Sequence, residues 1–115
     1  NPRPNGGDNL VVGTAHWDNN GTKADFGAST RKTNGKLADE FHVYSIIWDS
    51  QSIKWLFDDV QYHEIDITPP ALSEFHQKHF FIFNVAVGGL WPGSPDGTTQ
   101  FPQLMAVDYV RVFQK

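Results

Sequence analysis

The first residues whose types and spacing could do chemistry are two carboxylates, Glu64 and Asp66, in the run Glu-Ile-Asp-Ile. On a β-strand, side chains two positions apart share a face, so these carboxylates would lie roughly 7 Å apart. A retaining glycosidase needs two carboxyl groups about 5–5.5 Å apart beside the scissile bond. In a Glu-x-Asp-x-x-Glu pattern a third acid would follow, but Pro69 stands at that position. We therefore favour a solvated strand edge that leads into a turn.

Four of the five histidines, His42, His63, His76 and His79, offer acid–base or metal-ligating groups. Their spacing matches neither the His-Glu-x-x-His pattern of zinc enzymes nor a mixed histidine and cysteine site, since the chain has no cysteine. We expect these four histidines to be ordinary surface or half-buried residues.

His16 differs because it stands beside Trp17 at the end of an apolar segment. An imidazole next to an indole can hydrogen-bond a sugar hydroxyl while the indole stacks on the sugar ring. The alternative is a cross-strand packing pair. Both residues are therefore candidate substrate-binding residues.

The segment 84–97 is the most specific local feature of the chain. Gly88 and Gly89 permit a sharp bend, and Trp91 follows on a Gly- and Pro-rich loop of the kind that often carries ligand-binding aromatics. Trp91 could equally fill the core. Asn84, the one polar residue in the body of its apolar segment, needs a hydrogen-bond partner if it is buried.

Asp108 interrupts the apolar run of the last segment. An acid in such a position needs a cation or hydrogen-bond donors if it is buried, and calcium held by carboxylate and backbone carbonyl oxygens is one answer. The other is a solvated outer face of an edge strand.

The elements that must position these residues are short and rich in Val, Ile, Phe, Tyr and Trp, with turn residues between them. This spacing predicts an all-β sandwich or barrel. We predict strands at about residues 10–17, 24–30, 40–49, 52–58, 60–67, 79–87 and 103–113. The segment 79–87 is apolar on both faces and should lie centrally. A helix of at most two turns is predicted at 71–78, after two prolines.

The composition excludes several classes of protein. A formal net charge of -4 argues against a nucleic-acid binder, which normally has a basic face. No apolar run is long enough to cross a membrane. Residues 1–9 have the composition of a flexible leader and lack the apolar region of a signal peptide. With 115 residues the chain should form one domain at most.

Four segments together carry a family resemblance: GTAHW at 13–17, FHVYSIIWDSQSIKWLFDD at 41–59, FFIFNVAVGGLWPGSPDGTTQFP at 80–102 and MAVDYVRVFQ at 105–114. They resemble the C-terminal half of glycoside hydrolase family 16, in its laminarinase-like (endo-1,3-β-glucanase) form. The resemblance implies a concanavalin A-like jelly roll, an antiparallel β-sandwich with a sugar cleft. It also implies secretion and retaining hydrolysis of β-1,3- or mixed β-1,3/1,4-glucans.

The same resemblance implies roles for particular residues. His16 matches a histidine near the cleft, Trp91 a cleft-loop tryptophan, and Asn84 the asparagine ahead of it. Asp108 matches an aspartate that binds a structural calcium ion, so calcium is the one cofactor implied. The family's three catalytic acids lie in a strand upstream of the position of Asn1, which implies no catalytic residue in this chain.

The resemblance therefore implies a single partial domain over residues 1–115. Half of a jelly roll would leave apolar strand faces and edges uncovered. We expect the chain to pair with the missing N-terminal half or to form a homo-oligomer. A non-catalytic β-glucan-binding module and an oligomerising sandwich fragment are the alternative functions.

Overall fold

Two antiparallel β-sheets account for most of the regular structure in a computed structural model, which describes residues 8–90 and 92–114. The first sheet is a hairpin of β1 (Leu10–Asn19) and β2 (Thr22–Arg31). The second has the spatial order β3 (Tyr44–Trp48), β4 (Ser52–Phe57) and β5 (Val60–Asp66). Two short 3₁₀ helices span Leu37–Asp39 and Pro70–His76. The predicted all-β class and the predicted short helix after two prolines are confirmed.

Two tight turns fix the pairing of the strands. Asn20 and Gly21 join β1 to β2 with φ values of 53° and 84°. Asp58 and Asp59 join β4 to β5 with φ values of 46° and 67°. Consecutive positive φ values belong to the two-residue turns that match the twist of a β-hairpin, and Asn, Asp and Gly tolerate them best. The polar pair Asp58 and Asp59 between the predicted strands 52–58 and 60–67 predicts a short hairpin turn, and the pairing of β4 with β5 confirms it.

The core lies between the two sheets. It is a cluster of buried side chains from β1, β4, β5 and the segment after β5: Ala15, Ile53, Ile65, Ile67 and Leu72. Trp17, Trp55 and Phe75 pack against this cluster and stay partly exposed. In β4 and β5 the buried residues Ile53, His63 and Ile65 share one face of the sheet, while Glu64 and Asp66 of β5 are exposed on the other.

Gly13 lets β1 approach the second sheet closely. A Cβ atom at this position would lie 2.6 Å from the hydroxyl of Tyr62 and 2.7 Å from Cδ1 of Trp55. Tyr62 lies where the register between β4 and β5 shifts, next to the pair of Trp55 and His63. The absence of a side chain at Gly13 is thus what allows the indole of Trp55 to pack under β1.

A histidine and an aspartate hold the start of β3 to the turn after β4. Nδ1 of His42 lies 2.7 Å from Oδ2 of Asp58, and the backbone N–H of Val43 donates to Oδ1 of Asp58 at 2.9 Å. Only 5 % of the His42 side chain is exposed. The Val43 hydrogen bond is the main reason that the pKa of Asp58 lies below its ordinary value of 3.8, and His42 acts in the same direction.

Two of the predicted strands are wrong for this chain. Residues 79–87 and 103–113 form no strand, although both have the expected apolar pattern. A strand is stabilised by a neighbour that completes its ladder of hydrogen bonds, and no such ladder reaches these segments in the described part of the chain. The expected central position of 79–87 is wrong as well, because Phe80 is 83 % exposed and Phe83 is 56 % exposed.

Trp48 and Trp55 both lie in alternating strands, a pattern that predicts core or second-layer residues. Trp55 packs against the core, but 45 % of Trp48 is exposed, so the prediction is wrong for Trp48. It is paired with Ile53 and so points to the same side of its sheet as the core residues. The first sheet contacts β5 through β2 and Trp55 of β4 through Gly13, whereas Ile46 and Trp48 of β3 stay exposed on that side.

The chain divides into two compact units, one that ends at Phe80 and one that begins at Phe81. The first unit contains both sheets. The second contains turns and segments without regular secondary structure, including an Asp96 turn in which Oδ1 accepts hydrogen bonds from the backbone and the hydroxyl of Thr98. Of the predicted leader, Asp8 and Asn9 are described and residues 1–7 lie outside the described residues. Within residues 8–90 and 92–114, no helix is both long and apolar enough to span a bilayer.

We expect Gly13→Ala to destabilise the protein by about 1–3 kcal/mol, because the new methyl group must push Trp55 or β1 out of place. Urea unfolding of the variant measures this change. Gly97→Ala is the matched control, since a Cβ atom at Gly97 has no atom within 4 Å, and it should be neutral. Equal stability of the two variants would show that β1 and Trp55 are not in close contact.

We expect Asp58→Asn to reduce the loss of stability in acid. Folding lowers the pKa of Asp58. Its contribution to the free energy of unfolding is therefore fully present above its ordinary pKa and is lost as the pH falls through the folded-state pKa. Wild type should therefore lose up to about 1 kcal/mol more than the variant between about pH 5 and pH 2, a small amount because the group is solvent-screened. Urea unfolding across this range measures it. Asp59→Asn, in the same turn, should keep the wild-type profile, and identical profiles for all three proteins would contradict the assignment.

Candidate functional site

Strand β1 has one packed face and one exposed face. Val11, Ala15 and the partly buried Trp17 alternate with the exposed Val12 and His16. Successive side chains of a strand point to opposite sides, so His16 projects away from the core and Trp17 projects toward it. The two neighbours that the sequence paired as sugar-binding candidates therefore lie on opposite faces, and one flat ligand cannot contact both.

The turn at Asn20 and Gly21 fixes which residues of β2 join His16 on the exposed face. Gly21 donates its backbone N–H to Oδ1 of Asp18 at 2.7 Å, which closes the turn. The resulting register places His16 opposite Asp25 and Thr14 opposite Gly27. We call the exposed side formed by these four residues, Thr14, His16, Asp25 and Gly27, the outer hairpin face.

The outer hairpin face is small and polar near its centre. A Cβ atom at Gly27 would lie 2.5 Å from Oγ1 of Thr14, so the threonine side chain lies directly over the glycine. His16 and Asp25 are both exposed beside this pair. Asp25 was missed in the sequence. The turn Asn-Gly at 20–21 was the signal that could have found it, because a two-residue turn there pairs residue 16 with residue 25.

Trp17 packs on the core side of β1, opposite the outer hairpin face. Its ring meets Phe75 edge-on, with centroids 6.3 Å apart, and the carboxylate of Glu74 accepts the backbone N–H of Asp18 at 3.1 Å. These contacts attach the helix Pro70–His76 to the end of β1. The Nε1 atom of Trp17 is buried and has no hydrogen-bond partner among the described residues.

The remaining predicted site residues belong to the second unit. Asn84 and Asp108 are both exposed there. Gly88 and Gly89 have φ values of 80° and 142°, so the expected sharp bend after Asn84 is present. Trp91 lies outside the described residues.

The surroundings of Asp108 supply few ligands for calcium. Calcium takes six to eight oxygen ligands. Within residues 8–90 and 92–114 there is no group of three or more histidine, aspartate or glutamate side chains that could hold a metal. The Arg111 guanidinium lies 4.4 Å from the ring centroid of Tyr109. The described side chains alone therefore do not form a calcium site around Asp108.

The carboxylates of Glu64 and Asp66 are exposed and have local partners. Glu64 lies 3.7 Å from Nζ of Lys54, across the strand pair, and accepts from Nε2 of Gln61 at 3.3 Å. Asp66 accepts the backbone N–H of Thr68 at 2.8 Å, and its hydrogen bonds to Thr68 lower its pKa. This is the solvated strand edge leading into a turn that we favoured from the sequence.

The other four histidines have structural partners in the described chain. His63 is buried, stacks on Trp55 with centroids 4.6 Å apart, and lies 3.3 Å from the carbonyl oxygen of Phe26. His76 and His79 lie 2.8 and 3.0 Å from backbone carbonyl oxygens, so the Nε2 atom of each must be the donor. His42 is bonded to Asp58. His42, His76 and His79 are half-buried or exposed, as expected, whereas His63 is buried and corrects the expectation for that residue.

Comparisons with known proteins place the chain among carbohydrate-active proteins. The model of the family "Glycosyl hydrolases family 16" matches residues 5–111. The clotting factor G alpha subunit of Tachypleus tridentatus is 39% identical over 107 residues, which cover 90% of this chain and 15% of that protein. The beta-1,3-glucan-binding protein of Penaeus monodon is 29% identical over 100 residues, which cover 70% of this chain and 26% of that protein.

Among solved structures, the laminarinase catalytic domain of Thermotoga maritima MSB8 is similar to this chain with a TM-score of 0.57 and 33% sequence identity. The match covers 82% of this chain and 40% of the laminarinase chain. It confirms the predicted jelly-roll sandwich. The chain spans well under half the length of each of these three proteins.

Proposed function

The chain belongs to glycosyl hydrolase family 16, and on that premise we propose that it is part of a secreted endo-β-glucanase that hydrolyses β-1,3- or mixed β-1,3/1,4-glucan. The observation that carries this proposal is the outer hairpin face, where the exposed His16 lies on the side of β1 that the core does not use. An exposed imidazole among small polar side chains can hydrogen-bond the hydroxyls of a sugar without displacing any core contact.

His16 is the residue to which we assign glucan contact in the first unit. Asn84 and Trp91 remain predicted substrate-binding residues of the loop that follows Phe83. We do not assign glucan contact to Trp17, the fourth predicted substrate-binding residue, because it projects toward the core and packs against Phe75, where it supports β1.

The proposed reaction proceeds with retention and uses catalytic carboxylates upstream of this chain. A double displacement needs a nucleophile and an acid on either side of the glycosidic bond. Glu64 and Asp66 do not suit these roles, because Lys54, Gln61 and Thr68 already neutralise or hydrogen-bond them on an exposed strand face. We therefore propose that the 115-residue chain alone does not cleave glucan.

The alternative function is a β-glucan-binding module without catalysis. The similarity to the Penaeus monodon protein favours it, since that protein is named for binding β-1,3-glucan. Both functions use the same polar face and differ in the presence of catalytic acids elsewhere in the polypeptide.

Calcium remains a proposal. Asp108 would provide one carboxylate ligand, and backbone carbonyls together with groups outside this chain would have to provide the rest. Calcium titration of the polypeptide that also contains the sequence upstream of Asn1, and of its Asp108→Asn variant, followed by thermal unfolding, tests it. A calcium-dependent rise in melting temperature is expected for the unsubstituted polypeptide and not for the variant, and no rise in either protein would contradict a calcium site at Asp108.

The function is tested by comparing two proteins on laminarin. One is the 115-residue chain. The other is a longer polypeptide that contains this chain and the sequence encoded upstream of Asn1. We expect reducing ends to be released by the longer protein and not by the chain, and we expect a Glu-x-Asp-x-x-Glu motif upstream.

Binding of laminarin by the longer protein without release of reducing ends would favour the binding module. Release of reducing ends by the mass-verified 115-residue chain would contradict the proposed absence of catalysis and would return attention to Glu64 and Asp66.

We also propose that the chain does not exist as a free monomer. The exposed segment Phe80–Val87 carries large apolar side chains, and the rings of Phe81 and Phe83 stack with centroids 6.1 Å apart. Exposed apolar surface of this kind favours association. The partner is either the remainder of a family 16 domain or a second copy of the chain. Sedimentation velocity of the purified chain should show an oligomer, whereas a monomer of 13.0 kDa at all concentrations would contradict the proposal.

A further inference from the structure

We propose that Asp25 is a second sugar-binding residue, which together with His16 binds neighbouring hydroxyl groups of one glucose unit of a β-glucan. This inference rests on the proposed function and adds to it a residue and a binding geometry. It follows from the register of the hairpin, in which His16 and Asp25 are directly opposite on the outer hairpin face.

The separation of the two side chains suits a single sugar ring. Residues directly opposite in an antiparallel pair have Cβ atoms about 4.5–5.5 Å apart. The two polar groups can therefore reach adjacent ring hydroxyls from the same side. Thr14 and Gly27, the next pair on this face, add no bulky side chain that would keep a sugar ring at a distance.

The side chains of His16 and Asp25 make no polar contact that stabilises the described part of the fold. The other four histidines are bonded to backbone carbonyls or to a carboxylate, and Asp58 and Asp66 accept backbone N–H groups. By contrast, across residues 8–90 and 92–114 the side chains of His16 and Asp25 take part in no hydrogen bond or ion pair. Two adjacent, exposed and unoccupied polar groups on a rigid hairpin are available to a ligand at little structural cost.

The chemistry of the pair selects an uncharged polyhydroxyl ligand. An ionised carboxylate only accepts hydrogen bonds and so takes the protons of two hydroxyls, while an imidazole can donate to one hydroxyl or accept from it. The next pair along the face, Asp18 and Lys23, brings one charge of each sign. Because an additional carboxylate on the ligand would be repelled by Asp25, we expect neutral glucans to bind in preference to acidic polysaccharides.

The experiment measures binding of laminaripentaose, a neutral β-1,3-linked glucose pentamer, to the 115-residue chain by isothermal titration calorimetry. Asp25→Asn should weaken binding about tenfold or more, since hydrogen bonds to a charged group are the stronger ones. Asp25→Glu, which keeps the charge, should recover part of the affinity. Asp59→Asn is the matched control, with the same chemical change in a turn between β4 and β5, and should stay within about twofold of wild type.

His16→Ala separates failure of this inference from failure of the proposed function. Loss of binding in His16→Ala with wild-type affinity in Asp25→Asn would overturn the role of Asp25 and leave the proposed function intact. Absence of any binding by the wild-type chain would overturn the role of Asp25 and the assignment of glucan contact to His16, while the proposed function would still be decided by the longer polypeptide on laminarin. Thermal unfolding of each variant establishes that it is folded, and Asp25→Ser serves as a second variant if Asp25→Asn is not.

Discussion

The close packing of β1 on the second sheet is the constraint on which the rest of the structure depends. Gly13 leaves room for Trp55, and Ala15 fills the next inward position with a single methyl group. A larger side chain at either place would separate the sheets and open the core to water. The inward residues of β1 are thus fixed by packing, and this leaves the outward residues free to differ in chemistry.

This division of β1 explains how a small hairpin can carry a binding surface. The period of two along a strand places every second residue outside, so the proposed ligand face and the core face are built from the same ten residues. The Asn20–Gly21 turn extends the arrangement to β2 and brings Asp25 beside His16. Trp17, Phe75 and the hydrogen bond from Asp18 to Glu74 hold the end of the strand in place.

Local features were predictable from the sequence, and long-range ones were not. The turn at Asp58 and Asp59 and the helix after Pro69 depend on nearby residues, and both were found. Residues 79–87 have a strong strand pattern, yet a strand also requires a neighbour, which sequence periodicity cannot supply. Trp48 was placed in the core for the same reason, because alternation shows which side a residue faces and not whether anything covers that side.

The residues of the candidate site were also predictable only in part, because the sequence does not show which side chains share a face of the hairpin. His16 was found through its neighbour Trp17 and a family resemblance, but their placement on opposite faces required the strand itself. Asp25 lies in no motif of its own, and it is found only by following the register that the Asn-Gly turn at 20–21 sets for the hairpin.

In the proposed arrangement, β1 turns His16 toward the ligand and Trp17 toward the core. Two-dimensional NMR during titration with laminaripentaose distinguishes these two faces. We predict progressive shifts of the His16 ring protons and of the Asp25 backbone amide, with the indole Nε1–H signal of Trp17 unchanged. Shifts of the Trp17 indole with unchanged His16 signals would contradict it.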